Sequence, residues 1–123
     1  RTLQVSCAED LYYVGNEEQF RQLFCLLLDN AIKYSTPDST IELTLSKRGK
    51  HLCFTIFNEC EGLEKGSQDI LFERFYRSDS SRNSSTGGSG IGLSIAHSIV
   101  ENHKGIIHAE SADGKSLQIR VLL

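Results

Sequence analysis

Residues 17–35, with the sequence EEQFRQLFCLLLDNAIKYS, carry the clearest helical pattern in the chain. Their apolar side chains recur at intervals of three and four residues, which is the spacing of one broad helix face. Asn16, directly before this stretch, is a good N-cap, and Pro37 prevents the helix from continuing much further. We therefore predict one long amphipathic helix whose apolar face packs on a core.

Short segments with the composition of strands flank this helix. Before it, Thr2 to Ser6 and residues 11–14 are rich in apolar side chains, and we interpret them as the two strands of a hairpin. After it, residues 41–46 alternate strictly between apolar and polar, as a half-buried strand does. Residues 51–57 are predicted to return as a second strand after a glycine-containing turn.

The remaining sequence predicts a loop, a second helix and a terminal hairpin. Residues 58–69 are polar and read as a loop, whereas residues 70–76 indicate a short aromatic-rich turn or helix. A second amphipathic helix begins near Ile91, and we expect Gly105 to end it at the C′ position. Residues 105–123 then predict two strands that turn at an Asp-Gly pair.

This order of elements indicates an α+β fold. Adjacent strands joined by short turns favour a mixed, mostly antiparallel sheet with helices on one face, which is a two-layer α/β sandwich. Strand and helix do not alternate regularly, as they would in a doubly wound Rossmann sheet. Because 123 residues are enough for one hydrophobic core only, we expect residues 1–123 to form a single domain.

The composition excludes several classes of protein. Hydrophobic residues make up 39% and charged residues 24%, so the chain is globular rather than disordered. A formal net charge of -3 gives no electrostatic reason for a nucleic-acid partner. The four cysteines lack the paired spacing of zinc sites. Neither a signal peptide nor an apolar run of about 20 residues is present, so we expect a soluble, cytoplasmic chain.

A glycine-rich stretch, GGSGIGLS at residues 87–94, runs into the second helix. Glycine lets the backbone approach a ligand without a side-chain clash, and the free N–H groups at a helix start favour phosphate. The stretch lacks the lysine of a Walker A loop, and no hydrophobic strand precedes it as in a dinucleotide-binding fingerprint. Residues 78–89 contain no apolar side chain, and we expect them to form a mobile lid.

Three motifs, in this order, resemble those of sensor histidine kinases. Residues 27–35, LLDNAIKYS, resemble the N box that these kinases share with gyrase B, Hsp90 and MutL. Residues 71–77, LFERFYR, look like the F box, which is particular to sensor kinases. Residues 88–96, GSGIGLSIA, are similar to the G2 box. Their order and spacing fit the family, and the resemblance covers nearly the whole chain, so the chain resembles the ATP-binding catalytic domain of a two-component sensor histidine kinase.

This resemblance implies a Bergerat-type sandwich that holds ATP and Mg²⁺ between its helices and the lid. Asn30 is implied as the Mg²⁺ ligand, a role that suits a hard, neutral amide oxygen. Asn30 and Lys33 are implied as the catalytic residues near the phosphates. Tyr34 is implied to pack beside the adenine, and Phe75 is implied to anchor the lid. Two alternatives stay open, namely that Lys33 is an ordinary surface lysine and that both aromatic residues only pack against the rest of the fold. The other implied nucleotide-binding residues are Asn58, Gly62, Leu63, Gly88, Gly90, Ile91, Gly92 and Leu93.

The chain departs from the family pattern at three positions. Asn58 replaces the aspartate that normally accepts a hydrogen bond from the adenine amino group, and a neutral acceptor forms the weaker bond. Cys60 replaces a glycine of the same motif, the G1 box, and adds a side chain near the purine. Leu26 stands where the family commonly has a polar residue near the metal. These departures predict weakened nucleotide binding.

The main hypothesis is a kinase domain that binds Mg-ATP and transfers the γ-phosphoryl group to a histidine outside residues 1–123, since the chain has no phosphoacceptor motif. The implied partners are its own dimerisation and phosphoacceptor domain, a response regulator, and a second copy in a homodimer. The implied location is the cytoplasmic side of a bacterial inner membrane. The alternative is a pseudo-ATPase docking module that binds nucleotide weakly or not at all. An anti-sigma-factor serine kinase is disfavoured, because it should lack the F box.

Overall fold

The computed structural model describes residues 2–7, 15–73 and 92–123, which form a six-stranded mixed sheet, two α-helices and a short 3-10 helix. The strand order in the sheet is β1-β2-β3-β6-β5-β4. In chain order the elements are β1 (Thr2–Cys7), α1 (Glu17–Tyr34), β2 (Thr40–Arg48), β3 (His51–Glu59), β4 (Gly66–Ser67), the 3-10 helix (Asp69–Phe72), α2 (Gly92–Asn102), β5 (Ile106–Ser111) and β6 (Ser116–Leu122).

The sheet has one parallel pair of strands, β1 with β2, in which Thr2 lies opposite Thr40. The other four pairs among the described strands are antiparallel. A parallel pair needs a crossover connection, and α1 lies in that connection. The predicted α+β sandwich with a mixed, mostly antiparallel sheet is therefore confirmed. The second strand of the predicted N-terminal hairpin, residues 11–14, lies outside the described residues.

The predicted long helix is α1, and its ends carry the expected signals. The side-chain oxygen of Asn16 accepts a hydrogen bond from the backbone N–H of Gln19 at 3.0 Å, which caps the first turn. Glu17 and Glu18 lie in the first turn and Lys33 in the last, so their charges favour the helix dipole. The apolar face is fully buried at Leu23, Leu27 and Ala31.

Both helices pack on the same face of the sheet. In β3, the side chains of Phe54 and Ile56 are buried while Thr55 between them is partly exposed, which is the alternation of a strand with one covered face. Leu27 of α1 and Val100 of α2 belong to the same buried cluster as Ile56. One apolar layer between helices and sheet is thus the core of the described fold, as the composition indicated.

The stretch 58–69, predicted as a loop, contains more structure than expected. β3 continues to Glu59, and Gly66 and Ser67 pair with the far edge of β5 as the short strand β4. The carboxylate of Asp69 then accepts the backbone N–H of Ala109 at 2.8 Å. These links to β5 use main-chain groups and one aspartate. They therefore produce no alternation of apolar and polar residues from which the strand could have been predicted.

The C-terminus of α2 differs from the prediction by one residue. Lys104, not Gly105, adopts the left-handed conformation of the C′ position, with φ of 58°. The N–H of Gly105 donates to the carbonyl of Val100, and that of Lys104 to Glu101, which is the Schellman pattern. Glycine is needed at 105 for another reason, because a Cβ there would lie 2.5 Å from the carbonyl oxygen of Leu122 in β6.

We expect Gly105→Ala to lower the free energy of unfolding by about 2 kcal/mol, because the added methyl group forces α2 away from β6. Lys104→Gly is the matched control and should be neutral or stabilising, since it relieves the left-handed backbone of a non-glycine residue. Urea unfolding followed by circular dichroism measures both. Unchanged stability of Gly105→Ala, or clear destabilisation by Lys104→Gly, would contradict this assignment of the helix end.

Candidate functional site

One face of α1 brings residues of the N-box motif beside the start of α2. Leu26, Asn30 and Lys33 are separated by four and three residues, so they lie on one side of the helix. The side chain of Leu26 reaches α2, because its Cδ2 atom lies 3.6 Å from the position that a Cβ would occupy on Gly92. The first residue of α2 is therefore packed against α1 one turn before Asn30.

The polar residues in the last two turns of α1 are available to a ligand. Asn30 is partly buried, and within the described ranges its carboxamide has no hydrogen-bond partner. Lys33 is exposed in the last turn, and Tyr34 is partly buried as the final helical residue. An amide that is half removed from water without an internal partner is a candidate ligand group rather than a structural one.

The end of β3 lies beside the end of α1. The backbone N–H of Thr36 donates to the carbonyl of Glu59 at 2.9 Å. The neighbouring Asn58 is only 2% exposed, on the face of the strand that carries the buried Phe54 and Ile56. Its side-chain Nδ2 donates to the same Glu59 carbonyl at 3.3 Å.

This hydrogen bond leaves the side-chain oxygen of Asn58 without a donor anywhere in the described part of the chain. A buried acceptor that lacks a partner costs about 1–3 kcal/mol. Buried polar groups are therefore almost always satisfied, by protein, by water or by a ligand. Asn58 Oδ1 marks a position at which an N–H group of a ligand would be stabilised.

Cys60 follows at the end of this strand as a buried, protonated thiol. It is 6% exposed, and its backbone N–H donates to the carbonyl of Lys115 at 2.9 Å. Burial raises the pKa of the Cys60 thiol to about 11, and the negative charge of Asp113 adds to the effect. A thiol that stays protonated at neutral pH is a poor nucleophile, so Cys60 contributes volume rather than chemistry here.

The turn after Cys60 contains Gly62 and Leu63. Gly62 has a φ of 83°, a left-handed conformation that suits glycine. Leu63 is partly buried against the core, and its carbonyl oxygen lies 2.7 Å from the position of a Cβ on Gly114 in the β5–β6 turn. Close packing of two turns thus holds this part of the G1 box next to Cys60.

Gly92 opens α2 at the opposite end of the site. Its φ is not positive, and the one described atom near a Cβ at this position is Leu26 Cδ2, at an ordinary contact distance. Among the described residues, neither backbone conformation nor packing therefore requires glycine at 92. Leu93, the next residue, is partly buried and packs against the core.

The described groups form an elongated site along the second half of α1. Leu26, beside Gly92, and Tyr34, near the end of β3, are about 12 Å apart at a rise of 1.5 Å per residue. A helix start with unpaired N–H groups favours an anion at one end. At the other end, the oxygen of Asn58, which has no donor within residues 2–7, 15–73 and 92–123, favours an N–H donor, and Asn30 lies between the two ends. This geometry suits a long ligand that is anionic at one end only.

Several sequence-predicted site residues lie outside the described residues. They are Phe75, Gly88, Gly90, Ile91 and the lid at residues 78–89. Their predicted roles stay predictions. Within the described ranges, no group of three or more His, Cys, Asp or Glu side chains is arranged to hold a metal ion. No helix there is long and apolar enough to cross a membrane.

The sequence analysis missed the groups that join the two halves of the site. The carbonyl of Glu59 receives both the N–H of Thr36 and the amide of Asn58, and main-chain groups leave no signature in a sequence. The contact of Leu26 with the start of α2 was also missed, because Leu26 was noted only as an absent polar group. The sequence signal that was available is the spacing of four residues between Leu26 and Asn30, which places both side chains on the same side of α1.

Comparison with known proteins assigns this architecture to a family. Residues 15–123 match the family model described as histidine kinase-, DNA gyrase B-, and HSP90-like ATPase. The signal transduction histidine-protein kinase ArlS of Staphylococcus haemolyticus is 41% identical over 96 residues, which cover 78% of this chain and 21% of that protein. BaeS of Escherichia coli, also a signal transduction histidine-protein kinase, is 37% identical over 113 residues, or 91% of this chain and 24% of BaeS.

Solved structures agree on the fold. A mycobacterial sensor histidine kinase, MprB, superposes with a TM-score of 0.82 at 24% identity, covering 99% of this chain and 80% of that one. The catalytic domain of histidine kinase ThkA, in a nucleotide-free form, gives 0.81 at 19% identity, with 99% and 77% covered.

The chain spans less than a quarter of the length of ArlS and BaeS. The family match nevertheless covers all of the described site from α1 to β6. The chain therefore belongs to the histidine kinase-, DNA gyrase B-, and HSP90-like ATPase family, as an ATP-binding domain of the sensor histidine kinase type.

Proposed function

We propose that this domain binds Mg-ATP along α1, with the base at Asn58 and the phosphates at the start of α2. The observation that carries the proposal is the buried oxygen of Asn58 at one end of the site, which has no donor among the residues that the structure describes. The amino group of adenine is a donor that would satisfy it. Leu63, and Tyr34 at the end of α1, would contribute apolar contacts near the base, and Gly62 would allow the backbone to turn there.

Asn30 is the proposed Mg²⁺ ligand. Mg²⁺ is usually held by one or two protein oxygens together with the phosphates of its substrate, so a single amide oxygen fits this ion. The absence of an acidic or histidine cluster in the described ranges agrees with such a site. Lys33, exposed one turn further on, would place its charge near the phosphates. When bound, the metal would neutralise charge on the phosphates during transfer.

The start of α2 is the proposed phosphate end. Neither the φ of residue 92 nor its described packing requires glycine there. A glycine at such a position is expected where a ligand approaches the backbone closely. Gly88, Gly90 and Ile91 would add backbone N–H groups, and Leu93 would anchor the helix in the core. Phe75 and residues 78–89 are proposed as the lid and its anchor.

For the whole protein we propose histidine kinase activity in two-component signal transduction. Residues 1–123 would form its one catalytic and ATP-binding domain, and the γ-phosphoryl group would pass to a histidine in a separate dimerisation and phosphoacceptor domain. A response regulator, a homodimer and the cytoplasmic side of a bacterial membrane are proposed from the kinases that the chain resembles. No observation favours the alternative of a docking module without nucleotide binding.

The proposal predicts that Asn30→Ala removes the Mg²⁺-dependent part of nucleotide binding. In titration calorimetry, ADP affinity with Mg²⁺ should fall by about tenfold or more, equivalent to about 1.4 kcal/mol. Affinity in EDTA should equal that of the unchanged chain, since only the metal contact is lost. Asn102→Ala, at an exposed asparagine of α2, is the matched control. An equal loss with and without Mg²⁺, or loss of folding, would refute the metal role.

A second prediction concerns Gly92→Ala. Its stability should stay unchanged or rise by up to about 1 kcal/mol, because alanine is the better helix former and its Cβ has room beside Leu26. Mg-ADP affinity should nevertheless fall by about tenfold, because the methyl group would occupy the space of the phosphates. Ser98→Ala, an exposed change on the same helix, is the control. Unaltered affinity in a stable Gly92→Ala chain would exclude close approach of phosphate at this residue.

A further inference from the structure

A second site lies between α1 and the strands β1 and β2, as a groove of about 310 Å³. Its inner side is formed by Leu43 and Phe54, whose side chains also pack with the core, and Leu28 of α1 forms one wall. Leu28 is two residues from Asn30, so the two side chains point to opposite sides of the helix. The groove is therefore separate from the candidate nucleotide site.

The rim of this groove is apolar and open to water. Val5 of β1 is 61% exposed, although it pairs with Leu43 and so faces the side of the sheet that the helices cover. Cys25 of α1, on the opposite rim, is exposed and forms no disulfide. Apolar surface of this kind is stabilised when a ligand removes it from water.

The lining of the groove indicates the chemical class of the ligand. Among the described residues that line it there is no Asp, Glu, Lys, Arg or His. A charged ligand would lose its hydration there without gaining a partner, so the ligand must be uncharged. The rings of Phe24 and Phe54 lie in the lining with their centroids 4.9 Å apart. Two tilted rings offer edges and faces against which a further aromatic ring packs well.

The size of the groove favours a small molecule over a protein segment. An apolar cavity of about 150 Å³ holds one benzene, and pockets for small molecules begin at about 300 Å³. A groove of about 310 Å³ therefore has room for two fused rings. A partner helix would instead need anchors over about two turns, whereas the lining of α1 extends only from Phe24 to Leu28, about one turn.

We propose that this groove is a binding site for an uncharged aromatic molecule of about the size of naphthalene. The rings of the ligand contact Phe24 and Phe54 on the inner side and Val5 and Cys25 at the rim. The proposal does not depend on the nucleotide site, because the two sites use opposite sides of α1.

The fluorescent probe prodan, an uncharged naphthalene derivative, tests this site by direct titration. Its emission shifts to shorter wavelength in apolar surroundings, and the chain has no tryptophan to interfere. The unchanged chain should bind prodan saturably. Val5→Glu should weaken binding by about tenfold or more, because it brings a charge to the rim. Ile106→Glu is the matched control, at a residue of β5 that is 64% exposed, and should change the affinity by less than about twofold.

Alkylation of the cysteines locates the probe without any variant. Cys25 is exposed at the rim, whereas Cys53 and Cys60 are buried. Iodoacetamide, followed by mass spectrometry of peptides, should therefore label Cys25 much faster than the two buried thiols. Saturating prodan should slow the labelling of Cys25 at least about threefold, because a ligand that fills a pocket covers its walls. Mg-ADP should leave that rate unchanged.

Several results would overturn the proposal. They are a lack of saturable prodan binding, full affinity in Val5→Glu, or unchanged labelling of Cys25 when prodan is bound. Displacement of prodan by Mg-ADP would place the probe in the nucleotide site instead. If sedimentation shows a dimer of the unchanged chain that Val5→Glu dissociates, a second copy and not a small molecule covers the groove.

Discussion

The carbonyl of Glu59 is the group on which the rest of the site depends. It receives the N–H of Thr36, just after α1, and the side-chain amide of Asn58, so that one oxygen atom joins the helix end to the strand end. Each hydrogen bond is of ordinary strength, about 1 kcal/mol net, and their importance lies in geometry. Together they set the distance between α1 and β3 and the direction of the Asn58 oxygen.

The opposite end of the site depends on apolar packing. Leu26 contacts the start of α2. Leu27, the next residue of α1, and Val100, two turns further along α2, both belong to the buried core. Leu26 and Tyr34 lie in the same continuous helix, about 12 Å apart along its axis, so α1 separates the polar end near Asn58 from the end beside Gly92. The side chain of Leu26 thus contributes an apolar contact between α1 and the start of α2.

Much of the fold could be predicted from the sequence, since α1, β2, β3, α2 and the terminal hairpin all follow from hydrophobic period and turn residues. The details that the sequence did not reveal are those made by main-chain groups. β4 adds two residues to an edge by backbone pairing, and Gly105 is required by a carbonyl of β6 that no local pattern can show. Lys104, and not the neighbouring glycine, occupies the left-handed position.

The candidate site was predictable as a set of residues but not as a geometry. Asn30, Asn58 and Gly92 were named from motifs, and the motifs do not show that the amide of Asn30 has no partner within the described ranges while that of Asn58 donates to a main-chain carbonyl. Asn58 was interpreted from the sequence as a weakened acceptor. The structure adds its hydrogen bond to Glu59, which no residue pattern could have indicated.

The central claim is that the fixed oxygen of Asn58 meets the base while the start of α2 meets the phosphates. A crystal structure of the chain with Mg²⁺ and a non-hydrolysable ATP analogue tests it most directly. The account requires Asn58 Oδ1 to lie about 3 Å from the adenine amino nitrogen with the bond to Glu59 retained, and the phosphates to lie beside Gly92. A base bound elsewhere, or an Asn58 side chain turned away from Glu59, would contradict it.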